Sequence, residues 1–260
     1  MHVGLWGVIL KNRLWKNCIF ALSGVACLLL VWCIVAGAVG NEWILPDLFS
    51  CLREFVLLWK NAAFWNAVFS TLLRVIIAFS VSLVLAVVFA VISYLYPVFS
   101  TFFAPILAFF RTIPVLGVLL ILLVWTNSSI APVIVAVLSL FPILYTAVYV
   151  ALSNVDKDLI EMSQVYKVPL KRQITRLYFP SILPTIIKES GAAISFGVKL
   201  VVSAEVLSRA KTSLGNMMQD AQIFGQMPML FALLLFACAL GFFLETAFVA
   251  LSRLGQRRKQ

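Results

Sequence analysis

The stretch AVFSTLLRVIIAFSVSLVLAVVFAVISYL, residues 67–95, carries a single charged side chain, that of Arg74. At about 1.5 Å per residue, a helix of this length exceeds the roughly 30 Å hydrocarbon core of a bilayer and leaves room for tilt. Because no water reaches that core, the backbone must satisfy its own hydrogen bonds, which a helix does within one segment. The stretch therefore predicts a membrane-spanning helix.

Similar apolar runs occupy much of the chain, which is 63% hydrophobic and only 12% charged. An ordinary globular domain is about 45–50% apolar and about a quarter charged. With residues 67–95, the runs predict six spans, the others being 18–39, 102–125, 130–152, 182–207 and 229–251. We therefore expect an all-α polytopic membrane protein, with residues 1–260 forming a single transmembrane domain whose core is 67–253.

The distribution of basic residues predicts the orientation of these spans. The net charge is +10, but the bases flank apolar runs, which is typical of membrane proteins and argues against a nucleic-acid partner. Most of them fall in residues 1–17, in the tail after 251, and in 154–181 between spans four and five. The opposite side holds only Arg53, Lys60, Arg209 and Lys211. Both termini and residues 154–181 are therefore predicted to be cytoplasmic.

The first apolar run raises the alternative of a cleaved signal peptide, because bases precede it. Its length of about 22 residues exceeds the roughly 7–15 residues of a signal core, so we expect an uncleaved span. Beyond it, residues 40–66 contain apolar side chains at helical spacing, which predicts an amphipathic helix on the outer interface. The polar loop 208–226 is long enough to line a vestibule or to contact a partner.

Residues 154–181, called here the elbow segment, have a helix-bend-helix pattern. Asp158 and Glu161 have the spacing of a capping box, which predicts a helix from about Leu159 to Tyr166. Pro169 disfavours helical geometry at the residue before it and suits the first turn of a second helix. Two interpretations stay open on composition alone: a solvated loop, or a rigid elbow that docks on a cytoplasmic partner.

The elbow segment resembles the cytoplasmic motif of permeases of the ATP-binding cassette (ABC) importer class, the inner-membrane components of binding-protein-dependent transport systems. That motif runs Glu-Ala-Ala, three residues, Gly, nine residues, then Ile-x-Leu-Pro. This chain has Glu161-Met162-Ser163, then Lys167 at the glycine position, and Leu177-Tyr178-Phe179-Pro180 after nine residues. Glycine would permit a positive φ at the bend. With lysine there, we expect another geometry, or a turn imposed by Pro169.

The resemblance extends over about residues 44–253. Within that class, this region is similar to the nitrate, sulfonate and taurine branch. It implies a homodimeric permease in a prokaryotic plasma membrane, with an ABC ATPase dimer on the elbow segment and an extracytoplasmic substrate-binding protein on the outer loops. The residues predicted to couple to the ATPase are Asp158, Glu161, Met162, Ser163, Tyr166, Lys167, Pro169 and Arg172.

Charged residues inside the spans predict the translocation path. A central charge costs about 2.5–3.5 kcal/mol on insertion scales and so needs a partner, a cavity or a route to the interface. Arg111 precedes Pro114, which predicts a kink beside a cation. Lys199 and Glu205 lie in span five and are assigned with Arg111 to the path; for Lys199 a structural pair is the alternative. Arg74 is expected to reach outward to the interface. Cations in the path suit a small anion such as an aliphatic sulfonate, taurine or nitrate.

Other site chemistry is not supported by the sequence. There is no G-x-x-x-x-G-K-[ST] phosphate loop, so we expect no enzyme activity and no cofactor, with ATP and Mg²⁺ bound by a partner ATPase. One histidine, His2, and cysteines without a C-x-x-C pair give no metal or triad pattern. The alternatives are a permease for a vitamin or pyrimidine precursor, a secondary transporter, and a membrane-embedded enzyme.

Overall fold

A computed structural model of the protein describes residues 23, 24 and 26–257, and all regular structure in that part is helical. The helices are α1 Ala26–Val39, α2 Leu48–Leu58, α3 Ala62–Leu95, α4 Pro97–Thr112, α5 Val115–Trp125, α6 Ala131–Ser153, α7 Lys157–Val165, α8 Leu170–Gln173, α9 Phe179–Ser208, α10 Leu214–Ile223 and α11 Met227–Arg257. A π-helical turn, Ile174–Tyr178, joins α8 to α9.

Helices α3, α6, α9 and α11 form the core, in which α6 packs against α3 and α9, and α9 packs against α11. On α3, most buried positions hold small residues, including Ala78, Ala86 and Ala90. At Gly197 of α9, an added Cβ would lie 3.2 Å from a methyl group of Leu140. Small side chains let helix backbones approach closely, which is how helices associate inside lipid.

The apolar pattern located the long helices closely. Within the described residues, four helices are long and apolar enough to cross a membrane: Ala62–Leu95, Ala131–Ser153, Lys171–Ser208 and Met227–Leu251. The first predicted span, 18–39, is described only in part, since α1 begins at Ala26 and the basic residues before it lie outside the described residues. Six spans and their orientation therefore stay predictions.

The predicted span 102–125 is not one straight helix. Helices α4 and α5 are bent by 91° where they meet, around Ile113 and Pro114. Ile113 has extended backbone, φ −60° and ψ 125°, as expected for a residue that precedes proline. The proline predicted a kink, and the structure shows a near right angle.

Residues 40–66 contain the predicted helix, α2, which buries Cys51 and Leu58 and packs on α11, where Phe55 contacts Phe236. Asp47 caps it, because its side chain accepts a hydrogen bond from the Phe49 N–H at 3.1 Å. The predicted loop 208–226 contains a second short helix, α10, which packs on both α9 and α11.

Candidate functional site

The first helix of the elbow segment, α7, begins two residues earlier than the sequence indicated. Its N-cap is Asp156, whose Oδ1 accepts from the Asp158 N–H at 2.9 Å. The prediction of Asp158 as the cap is therefore wrong: Asp158 lies in the first turn, where a carboxylate favours the positive end of the helix dipole. Both aspartates suit a helix start, and spacing alone selected the second.

The bend of the elbow segment is built on Lys167. This residue has φ +49°, in the left-handed region that glycine adopts without strain. The Val168 N–H donates to the Ser163 carbonyl at 2.9 Å and the Lys167 N–H to the Gln164 carbonyl at 3.0 Å. This pair of bonds is a Schellman motif. The expectation that lysine would force another geometry is therefore wrong, since Lys167 keeps the conformation of a glycine.

A side-chain hydrogen bond fixes the second half of the elbow segment against the first. Gln173 Nε2 donates to the Val168 carbonyl at 2.8 Å and so ties α8 to the bend. Between α7 and the start of the long helix lies an open groove of about 300 Å³, called here the elbow groove. Its lining is Leu159, Met162, Ser163, Tyr166, Val168, Arg172, Gln173, Arg176 and Leu177.

The predicted coupling residues are nearly all accessible in this arrangement. Asp158, Glu161, Met162, Tyr166, Lys167, Pro169 and Arg172 are exposed, and Ser163 is half-buried. Tyr166 is 75% exposed and Met162 54%, although both are large and apolar in character. Exposed side chains of this kind, grouped around one groove, are typical of a surface that another protein covers.

The Arg111 side chain lies at the end of α4, beside the break between α4 and α5. Its Nη2 donates to the hydroxyl of Thr146 in α6. That hydroxyl gives its own proton to the Pro142 carbonyl at 2.8 Å, so its lone pairs are directed to the guanidinium. The remaining N–H groups of Arg111 stay available for another acceptor.

Arg111 lines a second groove, called here the central groove, which lies between α4, α6 and α9 and has a volume of about 470 Å³. Its lining is Arg111, Ile143, Thr146, Ala147, Val150, Thr185 and Glu189. Glu189 was not among the path residues predicted from the sequence. It lies inside the predicted span 182–207, and any ionisable residue within a span is a candidate for function.

Lys199 lies on the exposed face of α9, not in a buried pair. Thr185, Glu189, Ala192, Phe196, Lys199 and Ser203 are all exposed and follow one another at spacings of three or four. This spacing places them on one helix face, while the residues between Glu189 and Ser203 on the other faces are buried or, at Leu200, half-buried. Lys199 and the α9 side of the central groove therefore share one face.

Glu205, predicted to line the path, is instead fully buried near the C-terminal end of α9. Its Oε1 lies 2.7 Å from Nη1 of Arg74, which consequently forms an ion pair rather than reaching outward. Its Oε2 accepts from the Thr71 hydroxyl at 2.8 Å and from the Gly215 N–H at 3.3 Å. The Thr71 hydroxyl in turn accepts from the Leu214 N–H at 3.0 Å. The carboxylate therefore joins α3, α9 and α10.

Residues 82–258 match the family model described as "Binding-protein-dependent transport system inner membrane component". The matched region contains the elbow segment, the central groove and the buried Glu205. The chain belongs to this family. As an inner membrane component of a binding-protein-dependent transport system, it is a multi-pass membrane permease subunit of an ABC transporter rather than a catalytic subunit.

Proteins of similar sequence are also described as permease proteins. A "Probable ABC transporter permease protein" of Brucella melitensis is 27% identical over 81% of this chain and 85% of its own length. A protein of Bacillus subtilis described as an "aliphatic sulfonates transport permease protein" is 23% identical over 80% of this chain and 75% of its own length.

Chains from solved structures of ABC transporters share the fold. A chain of the inward-facing MetNI methionine ABC transporter matches 74% of this chain and 93% of its own length, with a TM-score of 0.59 and 18% identity. A chain of an amino acid ABC transporter crystallised with histidines matches 78% of this chain and 97% of its own length, with a TM-score of 0.62 and 15% identity. At these identities the likeness concerns the fold alone.

Proposed function

We propose that this permease subunit belongs to an ABC importer, works as a homodimer in a prokaryotic plasma membrane, and carries a small anion such as an aliphatic sulfonate, taurine or nitrate. A separate ABC ATPase dimer docks on the elbow segment, and a substrate-binding protein delivers substrate to the outer face. The observation that carries the proposal is the elbow groove, a rigid and exposed surface with apolar and basic walls.

The chemistry of the elbow groove defines what the ATPase must present to it. Leu159, Met162 and Tyr166 supply apolar contact, and Arg172 and Arg176 supply positive charge. An ATPase surface with an apolar projection flanked by carboxylates would complement both. Because the Lys167 Schellman motif and the Gln173 bond hold the two halves of the elbow segment together, docking force would be passed on to α9.

The anion preference rests on two cations. Arg111 lines the central groove with unused N–H donors, and a guanidinium can bind an oxyanion through two parallel bonds. Lys199 lies further along the same exposed face of α9. The similarity to a relative described as a sulfonate permease supports this preference. Glu205 has no part in it, because its carboxylate is enclosed by Arg74, Thr71 and Gly215.

Co-purification tests the docking proposal. Tyr166→Asp places a charge in the elbow groove, whereas Gln164→Asp places the same charge at an exposed α7 position outside the groove. Loss of a central aromatic side chain from an interface costs about 2 kcal/mol or more. We expect Tyr166→Asp to lose the ATPase subunit while both variants still insert in the membrane. Retention of the ATPase by Tyr166→Asp would overturn the proposal, as would equal loss in both variants.

Glu161→Lys extends this test to the matched motif, since Glu161 is exposed on α7. We expect it to weaken ATPase recovery and transport while the permease subunit is still produced. Unchanged recovery and transport would exclude Glu161 from the coupling surface.

A further inference from the structure

The central groove carries charges of both signs on its walls, and these charges do not neutralise each other. Arg111 comes from the end of α4 and Glu189 from α9. The ion pair between Arg74 and Glu205 is the one salt bridge in the described part of the chain, so the Arg111 and Glu189 side chains do not form one. An open space of about 470 Å³ adjoins them.

We infer that the central groove is a subsite for a small zwitterion, with Arg111 binding the anionic group and Glu189 binding a protonated amine. The inference rests on the proposed transport function and deepens it, because it assigns two opposite ends to the transported molecule. It also gives Glu189 the role of a specificity-determining residue.

The anionic end is held by a prepared donor. Thr146 accepts a hydrogen bond from Arg111 and is itself fixed to the Pro142 carbonyl, so the guanidinium is anchored from α6. An anchored guanidinium loses less conformational freedom when it binds an anion than a free side chain does. Thr146 and Thr185 add hydroxyl groups to the same groove.

The cationic end would be held by a carboxylate that has no partner among the described residues. Glu189 lies inside the predicted span 182–207, seven residues after Ile182. Its carboxylate has no hydrogen bond or salt bridge to any described residue. The neighbouring Lys188 does not line the groove, and adjacent helix residues do not face each other. A charge inside a membrane span needs a partner, a cavity or a route to the interface, and a ligand amine supplies a partner.

The wall between the two charges is apolar. Ile143, Ala147 and Val150 follow one another on α6 at spacings of four and three and line the groove from one side. They suit a short carbon chain that separates the amine from the anionic group. The volume falls within the roughly 300–1,000 Å³ of small-molecule sites. An inorganic anion such as nitrate would leave Glu189 uncompensated and the apolar wall without contact.

ATPase stimulation in the complete complex tests the assignment. This chain, its ATPase and its binding protein would be reconstituted in nanodiscs. The probes would be 2-aminoethanesulfonate, 3-aminopropanoate and 2-aminoethylphosphonate, each paired with its amine-free counterpart: ethanesulfonate, propanoate or ethylphosphonate. Because the binding protein is the same in every sample, a change between variants of this chain reports on the groove.

We expect at least one zwitterion to stimulate the wild-type complex. Glu189→Gln should raise its half-maximal concentration about tenfold or more, as for a lost hydrogen bond to a charged group, and leave the amine-free counterpart unaffected. Arg111→Gln should raise both. Lys188→Gln is the matched control, since it removes a charge from the adjacent residue outside the groove, and it should change neither value.

Three outcomes would overturn the inference. One is an equal effect of Glu189→Gln on both members of a pair, or no effect on either. The second is stimulation by amine-free anions alone, which would leave the proposed anion importer standing, or by none of the six probes in a complex that retains its ATPase, which would also count against the proposed transport of sulfonates and taurine.

The third outcome concerns an ion pair between two copies of the chain. If Arg111→Gln and Glu189→Gln each reduce recovery of the dimer, and the charge-exchanged Arg111→Glu/Glu189→Arg variant restores it, the two residues pair across copies. The groove would then hold no zwitterion.

Discussion

The guanidinium of Arg74 and the carboxylate of Glu205 form a 2.7 Å ion pair between residues that are 131 positions apart in the chain. The Arg74 side chain is 11% exposed and that of Glu205 is fully buried. Arg74 also donates from Nη2 to the Lys211 carbonyl at 3.2 Å, in the segment that leads to α10. The pair therefore fixes the loop at Lys211 to α3 and α9 as well as joining those helices to each other.

Removing both partners of this pair should destabilise the protein by less than the sum of the two single removals. Arg74→Met or Glu205→Met leaves an uncompensated charge, and breaking a buried pair in this way costs about 3–5 kcal/mol. The double variant Arg74→Met/Glu205→Met should lose less than the sum of the two. Thermal unfolding in detergent measures the effect, with Arg53→Met, on the exposed side of α2, as the control. Additive losses would show that the pair contributes no coupling.

Gly215 should not tolerate a side chain. An added Cβ would lie 2.4 Å from the Glu205 Cβ and 2.5 Å from the Val206 N, so α10 would have to move away from α9. That movement would also break the bond from the Gly215 N–H to Glu205. We expect Gly215→Ala to lower stability by about 1–3 kcal/mol.

Gly117→Ala is the matched control for Gly215→Ala. Gly117 lies within α5, and its added Cβ would meet only Pro114 Cγ at 3.7 Å. In thermal unfolding, the Gly117→Ala variant should be as stable as the wild type or more stable, because alanine favours helix. Equal tolerance of both substitutions would contradict the close approach of α10 to α9.

Lys167→Gly should preserve or improve the elbow segment. The left-handed conformation of a residue with a Cβ costs roughly 1–2 kcal/mol, and glycine relieves that cost. Lys167→Val should do the opposite, because a β-branched side chain is strongly disfavoured at positive φ. ATPase recovery and transport are the measurements, and we expect the glycine variant to match or exceed the wild type and the valine variant to fall below it. The reverse order would show that the lysine side chain itself makes the essential contact.

Cys51 should react slowly with thiol reagents. It is fully buried in α2, and burial, followed by the nearby Asp47 carboxylate, raises the pKa of its thiol. Because the pKa is raised, thiolate forms only at higher pH, and the thiolate is the reactive species. At mildly alkaline pH, maleimide labelling followed by mass spectrometry should find Cys51 unmodified while an introduced Arg53→Cys on the same helix is modified. Equal labelling of both would contradict the packing of α2 on α11.

The long helices could be predicted from sequence because hydrocarbon selects strongly for apolar runs. Residues 130–152 were predicted as a span and Ala131–Ser153 is observed, since charge-free length is a local property. The elbow segment was also located from local signals, although Asp156 and Asp158 compete as caps and only the structure separates them. The glycine-like backbone at Lys167 was not predictable from residue type, because the Schellman bonds around it outweigh the preference of lysine.

The side-chain pairings could not be predicted in the same way. Glu205 and Arg74 belong to helices that are distant in sequence, and their meeting depends on how α3 and α9 pack. The right angle at Pro114 likewise depends on packing, since a proline permits a bend without fixing its size. Glu189 carried a usable signal, a carboxylate within a predicted span, but its place beside Arg111 is set by the arrangement of α4, α6 and α9.

The helix Lys171–Ser208 runs without a loop from the elbow segment to the end that holds Glu205, a length of about 57 Å for its 38 residues. Its two ends therefore belong to one continuous helix. In the proposed orientation, a shift imposed on α10 by the substrate-binding protein would reach the elbow segment through this one helix, which is interrupted only by the π-helical turn Ile174–Tyr178. That turn would decide whether the movement is transmitted to the elbow segment or absorbed.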